Sequence, residues 1–343
     1  MLFNLGQKAL FTLDAESAHT LTVQMLRRVP HLQARLFGCR PPASPRQVMG
    51  LDFPNPVGVA AGLDKNGECI EGLFALGFGF VEVGTVTPRP QEGNPRPRIF
   101  RLVEDAAIIN RLGFNNKGVD YLCRQVEKAH RCGPLGINIG KNADTPMEQA
   151  AEDYLHCLER VYPLADYVTV NISSPNTKNL RDLQSPESLR RLIGSLMERA
   201  EQLGGQHGHR PLAVKIAPDN APEQLQAMAE VLRATGVAAV IISNTTISRP
   251  PLCDAAQAKE TGGLSGKPLS ELAQAQLEAL RDALGSGEGR PALIGVGGIH
   301  DEASALRRFE AGADLLQVYT GFVYRGPALI KECVRAAEQM AAD

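Results

Sequence analysis

The amino-acid sequence predicts an α/β fold in which a (β/α)8 barrel, or TIM barrel, follows an N-terminal amphipathic helical extension. Short apolar runs bounded by Gly, Pro, Asn or Asp occur eight times, as expected of buried parallel strands. These runs are residues 57–61, 80–83, 135–139, 167–170, 212–216, 239–242, 292–296 and 315–318. Helical stretches such as Glu223 to Thr235 and Ser270 to Leu284 separate most of them, as in consecutive βα units. A doubly wound sheet would need Gly-x-Gly-x-x-Gly after its first strand, and the sequence lacks it there.

The first 40 residues predict a helical segment that is distinct from the barrel domain of residues 41–343. Apolar residues recur at three- and four-residue steps through Ala18, Leu21 and Met25, and Asp14 is placed to cap this helix. Residues 1–46 contain six basic and two acidic residues, so they carry +4 while the remainder of the chain carries −6. Such helices either lie in a membrane interface with arginines toward lipid head groups or cap the barrel. Residues 41–45 read as a proline-rich linker.

Composition limits the classes of partner and site. A net charge of −2 and a pI near 6.4 argue against nucleic acid. The seven cysteines are scattered and form no Cys-x-x-Cys pair, so the sequence suggests a reducing compartment and no disulfide framework or zinc site. No secretory signal and no apolar run of about 18 residues is present, so we expect no membrane-spanning segment.

Polar residues interrupt or end four of the predicted strands, where a parallel barrel forms its active site. Asn138, Asn171 and Lys215 lie in or at the end of three runs, and Ser243-Asn-Thr245 closes a fourth. A cation among amides suits a ligand that gains negative charge during reaction, as reduced flavin does at its pyrimidine end. Core amides and a structural ion pair would give the same pattern, and the charge type does not single out flavin.

Loops after the seventh and eighth strands carry glycines where such barrels bind phosphate. Gly295-Val-Gly-Gly-Ile299 and Tyr319-Thr-Gly321 end these strands, although a glycine pair alone is also typical of a tight turn. Earlier loops offer Lys65, suited to a carboxylate, and three amides in 110–116, for which turn chemistry is the alternative. Walker A and His-Glu-x-x-His motifs are absent, which excludes nucleotide hydrolase and zinc protease classes.

An ordered set of motifs over nearly the whole chain resembles the dihydroorotate dehydrogenases, specifically the quinone-dependent, membrane-associated class 2. The motifs are Ala60-Ala-Gly-Leu-Asp-Lys65, Gly84-Thr-Val-Thr-Pro-Arg-Pro90, Asn110-Arg-Leu-Gly-Phe-Asn-Asn116, Gly136-Ile-Asn-Ile-Gly-Lys141, Asn171-Ile-Ser-Ser-Pro-Asn-Thr177, Lys215-Ile-Ala-Pro-Asp219, Ser243-Asn-Thr-Thr246, Gly262-Gly-Leu-Ser-Gly266 and Gly295-Val-Gly-Gly-Ile299. The resemblance implies oxidation of (S)-dihydroorotate to orotate in pyrimidine (UMP) biosynthesis, with FMN as first and a membrane quinone, ubiquinone or menaquinone, as second electron acceptor. It further implies a monomer held peripherally on the cytoplasmic side of the inner membrane through the N-terminal helices.

Site residues carry over from the resemblance position by position. Ser174 is the expected general base, with Thr177 or a water as the next proton carrier. The expected substrate-binding residues are Lys65, Asn110, Arg111, Leu112, Gly113, Phe114, Asn115, Asn171, Asn176, Asn244 and Thr245. The expected FMN-binding residues are Ala61, Gly62, Lys65, Thr85, Asn138, Asn171, Lys215, Ser243, Gly266, Gly298, Tyr319 and Thr320. His19 and Arg101 are the expected polar residues of the quinone site. Ser243 departs from the threonine of a related enzyme but keeps a hydroxyl.

Three alternatives remain at the sequence level. A soluble class 1 enzyme would pass electrons to fumarate or NAD, lack the extension and usually use cysteine as base. Another flavin barrel, acting on tRNA uridines or hydroxy acids, would lack the run Asn171-Ile-Ser-Ser-Pro-Asn176. A barrel retained only as a membrane-surface binding protein would be colourless when purified. Turn chemistry is also a sufficient reason for the pair Ser173-Ser174.

Overall fold

The computed structural model describes residues 2–37, 41 and 43–342. In chain order, its strands are β1 (Arg46–Val48), β2 (Leu51–Phe53), β3 (Val57–Val59), β4 (Phe80–Val86), β5 (Ile99–Leu102), β6 (Ala107–Asn110), β7 (Leu135–Ile139), β8 (Tyr167–Asn171), β9 (Leu212–Ile216), β10 (Ala239–Ile242), β11 (Gly263–Gly266), β12 (Ala292–Val296) and β13 (Leu315–Val318). The α-helices are α1 (Leu2–Phe11), α2 (Ala15–Arg28), α3 (Pro30–Phe37), α4 (Ile70–Ala75), α5 (Val119–Val126), α6 (Ala150–Val161), α7 (Pro186–His207), α8 (Pro222–Thr235), α9 (Ser270–Leu284), α10 (Glu302–Glu310), α11 (Thr320–Arg325) and α12 (Ala328–Ala342).

Eight parallel strands close into the predicted barrel in the order β3, β4, β7, β8, β9, β10, β12, β13 and back to β3. Each of the eight apolar runs supplies one strand, and β7, β9, β10, β12 and β13 have the predicted bounds. The strands are covered on both faces, which is why they are nearly continuously apolar. The (β/α)8 fold class is therefore confirmed.

Aromatic rings fill the amino end of the barrel. A Cβ atom on Gly136 would lie 2.1 Å from the Tyr167 ring, and one on Gly58 would lie 2.4 Å from Phe80, so only glycine leaves room for these rings. Phe53 packs edge-on against Phe80 with 5.2 Å between centroids. The antiparallel β1–β2 hairpin thus closes this end of the barrel. This hairpin was not predicted from the sequence.

A second sheet, formed by β5, β6 and β11, stands apart from the barrel. The two partners of β6 are antiparallel to it, and β11 comes from the chain after β10, about 150 residues later. This pairing brings the loop at 110–116 beside Gly263 and therefore over the carboxyl ends of the barrel strands. The segment thus becomes part of the wall of the site described below.

The predicted N-terminal helical extension is confirmed as α1, α2 and α3. Asp14 caps α2 by accepting hydrogen bonds from the backbone N–H groups of Glu16 and Ser17. The extension approaches α4 closely, because a Cβ atom on Gly72 would lie 2.6 Å from the carbonyl oxygen of Leu26. Residues 38–40 and Pro42, where the boundary and linker were predicted, lie outside the described residues. Within the described chain, no helix is both long and apolar enough to cross a membrane.

Candidate active site

A cavity of about 690 Å³ opens at the carboxyl ends of the barrel strands and continues between α1 and α2. Its volume is in the range of small-molecule and cofactor sites, about 300–1,000 Å³. Nearly all predicted site residues line it: His19, Ala61, Gly62, Lys65, Thr85, Arg101, Asn110, Leu112, Gly113, Phe114, Asn115, Asn171, Ser174, Asn176, Lys215, Ser243, Asn244, Thr245, Gly266, Gly298, Tyr319 and Thr320. Arg111, Asn138 and the expected proton carrier Thr177 are not part of the lining.

Lys215 lies on the floor of this cavity. Its neighbours in register are Asn171 on β8 and Ile241 on β10, and its side chain is only 5% exposed. Burial lowers the pKa of the ammonium, while the nearby Glu82 carboxylate opposes that shift. Within the described residues, Lys215 Nζ donates no hydrogen bond to a protein group. A buried cation of this kind is suited to a ligand that carries or gains negative charge.

A chain of hydrogen bonds runs along the floor and joins the site amides. Thr85 Oγ1 donates to Asn138 Oδ1 (2.6 Å) and accepts from Asn171 Nδ2 (2.9 Å). Ser173 Oγ donates to Asn171 Oδ1 and accepts from Asn244 Nδ2, both at 2.8 Å. Asn138 itself is fully buried behind Thr85. Its assignment as a direct FMN ligand stays a prediction, and in this structure its contact with the site passes through Thr85.

Ser174 faces the cavity from the loop that follows β8. Its Oγ accepts the backbone N–H of Asn176 at 3.2 Å, and the residue is 6% exposed. The neighbouring Thr177 Oγ1 is buried without a hydrogen-bond partner. Asn176 Nδ2 donates to the carbonyl oxygen of Asn110 at 3.1 Å, which ties this loop to the 110–116 loop. The serine hydroxyl therefore lines the cavity, and a buried hydroxyl without a partner lies three residues further along the same loop.

The 110–116 loop divides into cavity-facing and structural residues. Phe114 lines the cavity with a positive φ of 52°, and the neighbouring Asn115 Oδ1 is buried without a partner. Asn116 is structural, because its Oδ1 accepts the N–H groups of Thr87 and Gly118. Arg111 points away from the cavity and pairs with Glu260 at 2.6 Å. Its side-chain role in substrate binding stays a prediction that this geometry does not support.

Lys65 and His19 meet where the barrel mouth joins the helical extension. Burial lowers the pKa of Lys65 to about 8 against the opposing attraction of Glu16. Burial, with a smaller contribution from Lys65, lowers the pKa of His19 to about 3, so His19 is neutral near pH 7. His19 Nε2 lies 2.8 Å from the Leu63 carbonyl oxygen, which only accepts, so Nε2 carries the ring proton.

Arg101 joins the second sheet to the end of α1. Its guanidinium donates to the carbonyl oxygens of Leu10, Phe11 and Leu13 and stacks 4.6 Å from the Phe11 ring centroid. These contacts satisfy orphan carbonyls of the α1 C-terminus. In this structure Arg101 lines the cavity entrance and also holds the helix that forms it.

The glycine-rich side of the cavity fits a phosphate group. Gly298 lines the cavity with a φ of 72°, and a Cβ atom there would lie 2.2 Å from Ser270 Cα, so only glycine fits at this position. The Thr320 hydroxyl lies nearby on the next strand end, 2.8 Å from Ser265 Oγ. Glycine backbone and a hydroxyl on one side, with a buried ammonium and amides on the floor, match the phosphate and ring ends of a flavin mononucleotide.

Two buried polar residues near the cavity floor were not predicted as site residues. Glu82 on β4 and Gln317 on β13 are both fully buried, and Gln317 Nε2 donates to Glu82 Oε2 at 2.8 Å. The sequence does distinguish them, since each is the one polar residue in an otherwise apolar predicted strand. The hydrogen bond between them could not be predicted from the sequence, because they are 235 positions apart.

Comparison with known proteins agrees with this geometry. A family model for dihydroorotate dehydrogenase matches residues 45–340. The chain is 55% identical over 337 residues to dihydroorotate dehydrogenase (quinone) of Azotobacter vinelandii, covering 98% of this chain and 96% of that protein. It is 54% identical over 343 residues to the protein of the same name from Paraburkholderia phymatum, covering 99% of each. The crystal structure of DHODH in complex with ferulenol from Eimeria tenella superposes with a TM-score of 0.87 at 37% identity, covering 96% of this chain and 92% of that one.

Proposed function

The chain belongs to the dihydroorotate dehydrogenase family, which oxidises dihydroorotate to orotate in pyrimidine biosynthesis, and we propose that it does so with FMN held on the cavity floor. The observation that carries this proposal is the enclosure of Ser174 and Lys215 in one cavity. A proton acceptor and a cation for developing negative charge are the two groups that removal of a proton and a hydride from neighbouring ring carbons requires.

Ser174 takes the proton from the substrate ring carbon in this proposal. A serine hydroxyl is a weak base unless its own proton leaves, so a carrier beyond it is required. Thr177 supports that role because its Oγ1 is buried and unpartnered three residues after the base in the Ser-Pro-Asn-Thr run. Phe114 and the enclosing loops keep bulk solvent from the reacting carbon.

The remaining loop residues hold the substrate. Lys65 binds the carboxylate, and the amides of Asn110, Asn171, Asn176 and Asn244 bind the ring. The hydroxyl of Thr245 and the backbone of residues 112–114 complete the pocket. These groups fix the reacting carbons, because their orientation is set by hydrogen bonds between neighbouring loops.

FMN, when bound, supplies the hydride acceptor. Lys215 stabilises negative charge at the pyrimidine end of its ring. Thr85 and Ser243 offer hydroxyls beside that end, and Gly298 with Thr320 holds the phosphate. The other residues proposed to line the FMN site are Ala61, Gly62, Asn171, Gly266 and Tyr319, with Asn138 acting through Thr85.

A quinone accepts the electrons in this family's quinone-dependent branch, and we propose that it enters between α1 and α2. His19 and Arg101 are its candidate polar contacts. The extension exposes Leu5, Leu32 and Leu36 at 48–61% of their side-chain surface, which supports docking on a membrane surface. Attachment to the cytoplasmic side of the inner membrane, as a monomer, completes the proposal.

Anaerobic mixing of the purified yellow protein with dihydroorotate tests the whole proposal. We expect rapid bleaching of the flavin absorbance, followed by recovery when a quinone is added but not when fumarate or NAD is added. Recovery with fumarate or NAD alone would identify the class 1 alternative. Colourless protein that binds no added FMN would contradict the flavin assignment.

A further inference from the structure

A carboxylate lies directly beneath the cavity floor, at Glu82. It is completely buried and accepts four hydrogen bonds from neutral side chains: Asn138 Nδ2 (2.8 Å), Gln317 Nε2 (2.8 Å), Tyr167 Oη (3.0 Å) and Thr169 Oγ1 (3.1 Å). Among the described residues, no lysine or arginine donates to it. Four donors on one buried group suit an ionised carboxylate, which only accepts.

The carboxylate decides which way the Gln317 amide turns. Because Gln317 Nε2 donates to Glu82, its Oε1 must point elsewhere. Gln317 lines the cavity, and its Oε1 is buried without a hydrogen-bond partner. A buried acceptor that is left without a partner destabilises the folded protein. This oxygen is therefore suited to an N–H donor of a bound ligand.

The same carboxylate orders the hydrogen-bond chain on the other side of the floor. Asn138 gives its Nδ2 to Glu82, so its Oδ1 is left to accept the Thr85 hydroxyl. At the far end, the backbone N–H groups of Ser173 and Thr245 only donate, and they fix the Oδ1 atoms of Asn171 and Asn244. The bonds at the ends of this chain have fixed directions, because the Glu82 carboxylate only accepts and the backbone N–H groups only donate. Every hydrogen bond between these ends therefore points toward Glu82.

Glu82 also interacts with the cation of the site, because Thr169, which donates to Glu82, lies on β8 two positions before Asn171, the neighbour of Lys215 in register. The attraction of the carboxylate opposes the lowering of the Lys215 pKa that burial causes. In a water-excluded barrel interior such an interaction is only weakly screened. The barrel therefore presents an ammonium whose charge is partly offset on β9 and an unpartnered carbonyl oxygen on β13.

We propose that Glu82 is a positioning residue for the flavin: it turns Gln317 Oε1 toward the ring N–H of the pyrimidine end and moderates the charge of Lys215 beneath the ring. This inference rests on the proposed FMN site. The pyrimidine end of a flavin alternates carbonyl acceptors with one N–H donor, and the ammonium of Lys215 and the carbonyl oxygen of Gln317 offer the complementary groups. Hydrogen bonds to ring nitrogens and nearby charge are the means by which a protein sets flavin potential.

Measurement of the flavin midpoint potential in Glu82→Gln tests the inference on the FMN-loaded protein. Removing a negative charge under the ring favours the reduced, more negative flavin. We expect at least a tenfold shift of the reduction equilibrium, which is a rise of about 30 mV for a two-electron couple. Glu82→Asp keeps the charge, so its potential should lie closer to that of the unaltered protein. Asp153→Asn neutralises another buried carboxylate, outside the cavity lining, and should leave the potential unchanged.

A yellow, folded Glu82→Gln protein with the unaltered potential would overturn the inference, and so would an equal shift in Asp153→Asn. If Glu82→Gln does not retain FMN, Gln317→Met supplies the test. It removes the unpartnered Oε1 acceptor while keeping the carboxylate, and we expect FMN to bind at least tenfold more weakly. Unchanged FMN affinity in that variant would overturn the inference. Either negative result, with dihydroorotate still bleaching the unaltered protein, leaves the proposed function standing.

Discussion

The barrel and the N-terminal extension use apolar residues in opposite ways. The barrel strands are fully covered, and aromatic rings and aliphatic side chains fill the spaces between its layers. In the extension, only Ala18 and Leu26 are buried among the described side chains, while leucines on all three helices are exposed. Burial holds the barrel together, at about 25 cal/mol per Å² of apolar surface. The extension keeps much of its apolar surface available.

Polar contacts compensate for that difference in packing. Gln7 Nε2 donates to the carbonyl oxygens of Val323 and Tyr324, and the His19 ring contacts Leu63. Glu16 on α2 pairs with Arg98 at 2.7 Å, where the Arg98 side chain is only 5% exposed. The extension is thus positioned by a few directional bonds together with limited packing of Val23 and Leu26 against the main core. One region is built for fixed geometry, and the other suits contact with an apolar phase.

Substitution of the proposed base tests the barrel side of this comparison and has the largest expected effect. In Ser174→Ala, reduction of the flavin by dihydroorotate should slow by about 100- to 10,000-fold, the usual contribution of a positioned acid or base. Reoxidation by quinone should be unaffected, because that step does not use Ser174. Stopped-flow absorbance measures the two half-reactions separately. Wild-type single-turnover reduction in this variant would remove Ser174 from the mechanism.

The exposed leucines of α3 test the other side. A double variant with Leu32→Asp and Leu36→Asp should bind anionic lipid vesicles at least about 100-fold more weakly, since each buried leucine contributes about 1.5–3 kcal/mol. Neither leucine lines the cavity, so bleaching by dihydroorotate should not change. Ile247→Asp is the matched control, because Ile247 is 59% exposed on the loop after β10. Vesicle sedimentation that does not distinguish the two proteins would contradict a docking role for α3.

The barrel could be predicted from the sequence because each of its strands is recognisable from its own short stretch of residues. The run 212–216, for example, is short, apolar apart from Lys215 and followed by a turn, and it forms β9 without change. The β1–β2 hairpin and the second sheet were missed, since β6 and β11 pair across a long stretch of chain. The motifs predicted most of the residues that line the cavity. Arg111 is an exception, because its side chain pairs with Glu260. Glu82 was passed over because its importance lies in four contacts with other strands.

Lys65 lies where the barrel meets the extension, and its titration gives the smallest expected effect, a pH dependence of orotate binding. Because burial lowers the Lys65 pKa to about 8, its positive charge is present below that pH and is lost above it. If Lys65 binds the substrate carboxylate, the Kd of orotate should be flat below about pH 8 and then rise by up to about tenfold per pH unit. Lys65→Arg keeps its charge throughout this range, so its Kd should show no such rise. Titration of orotate, followed by the flavin absorbance, measures both proteins. An identical rise in the arginine variant would assign the pH dependence to a group other than Lys65.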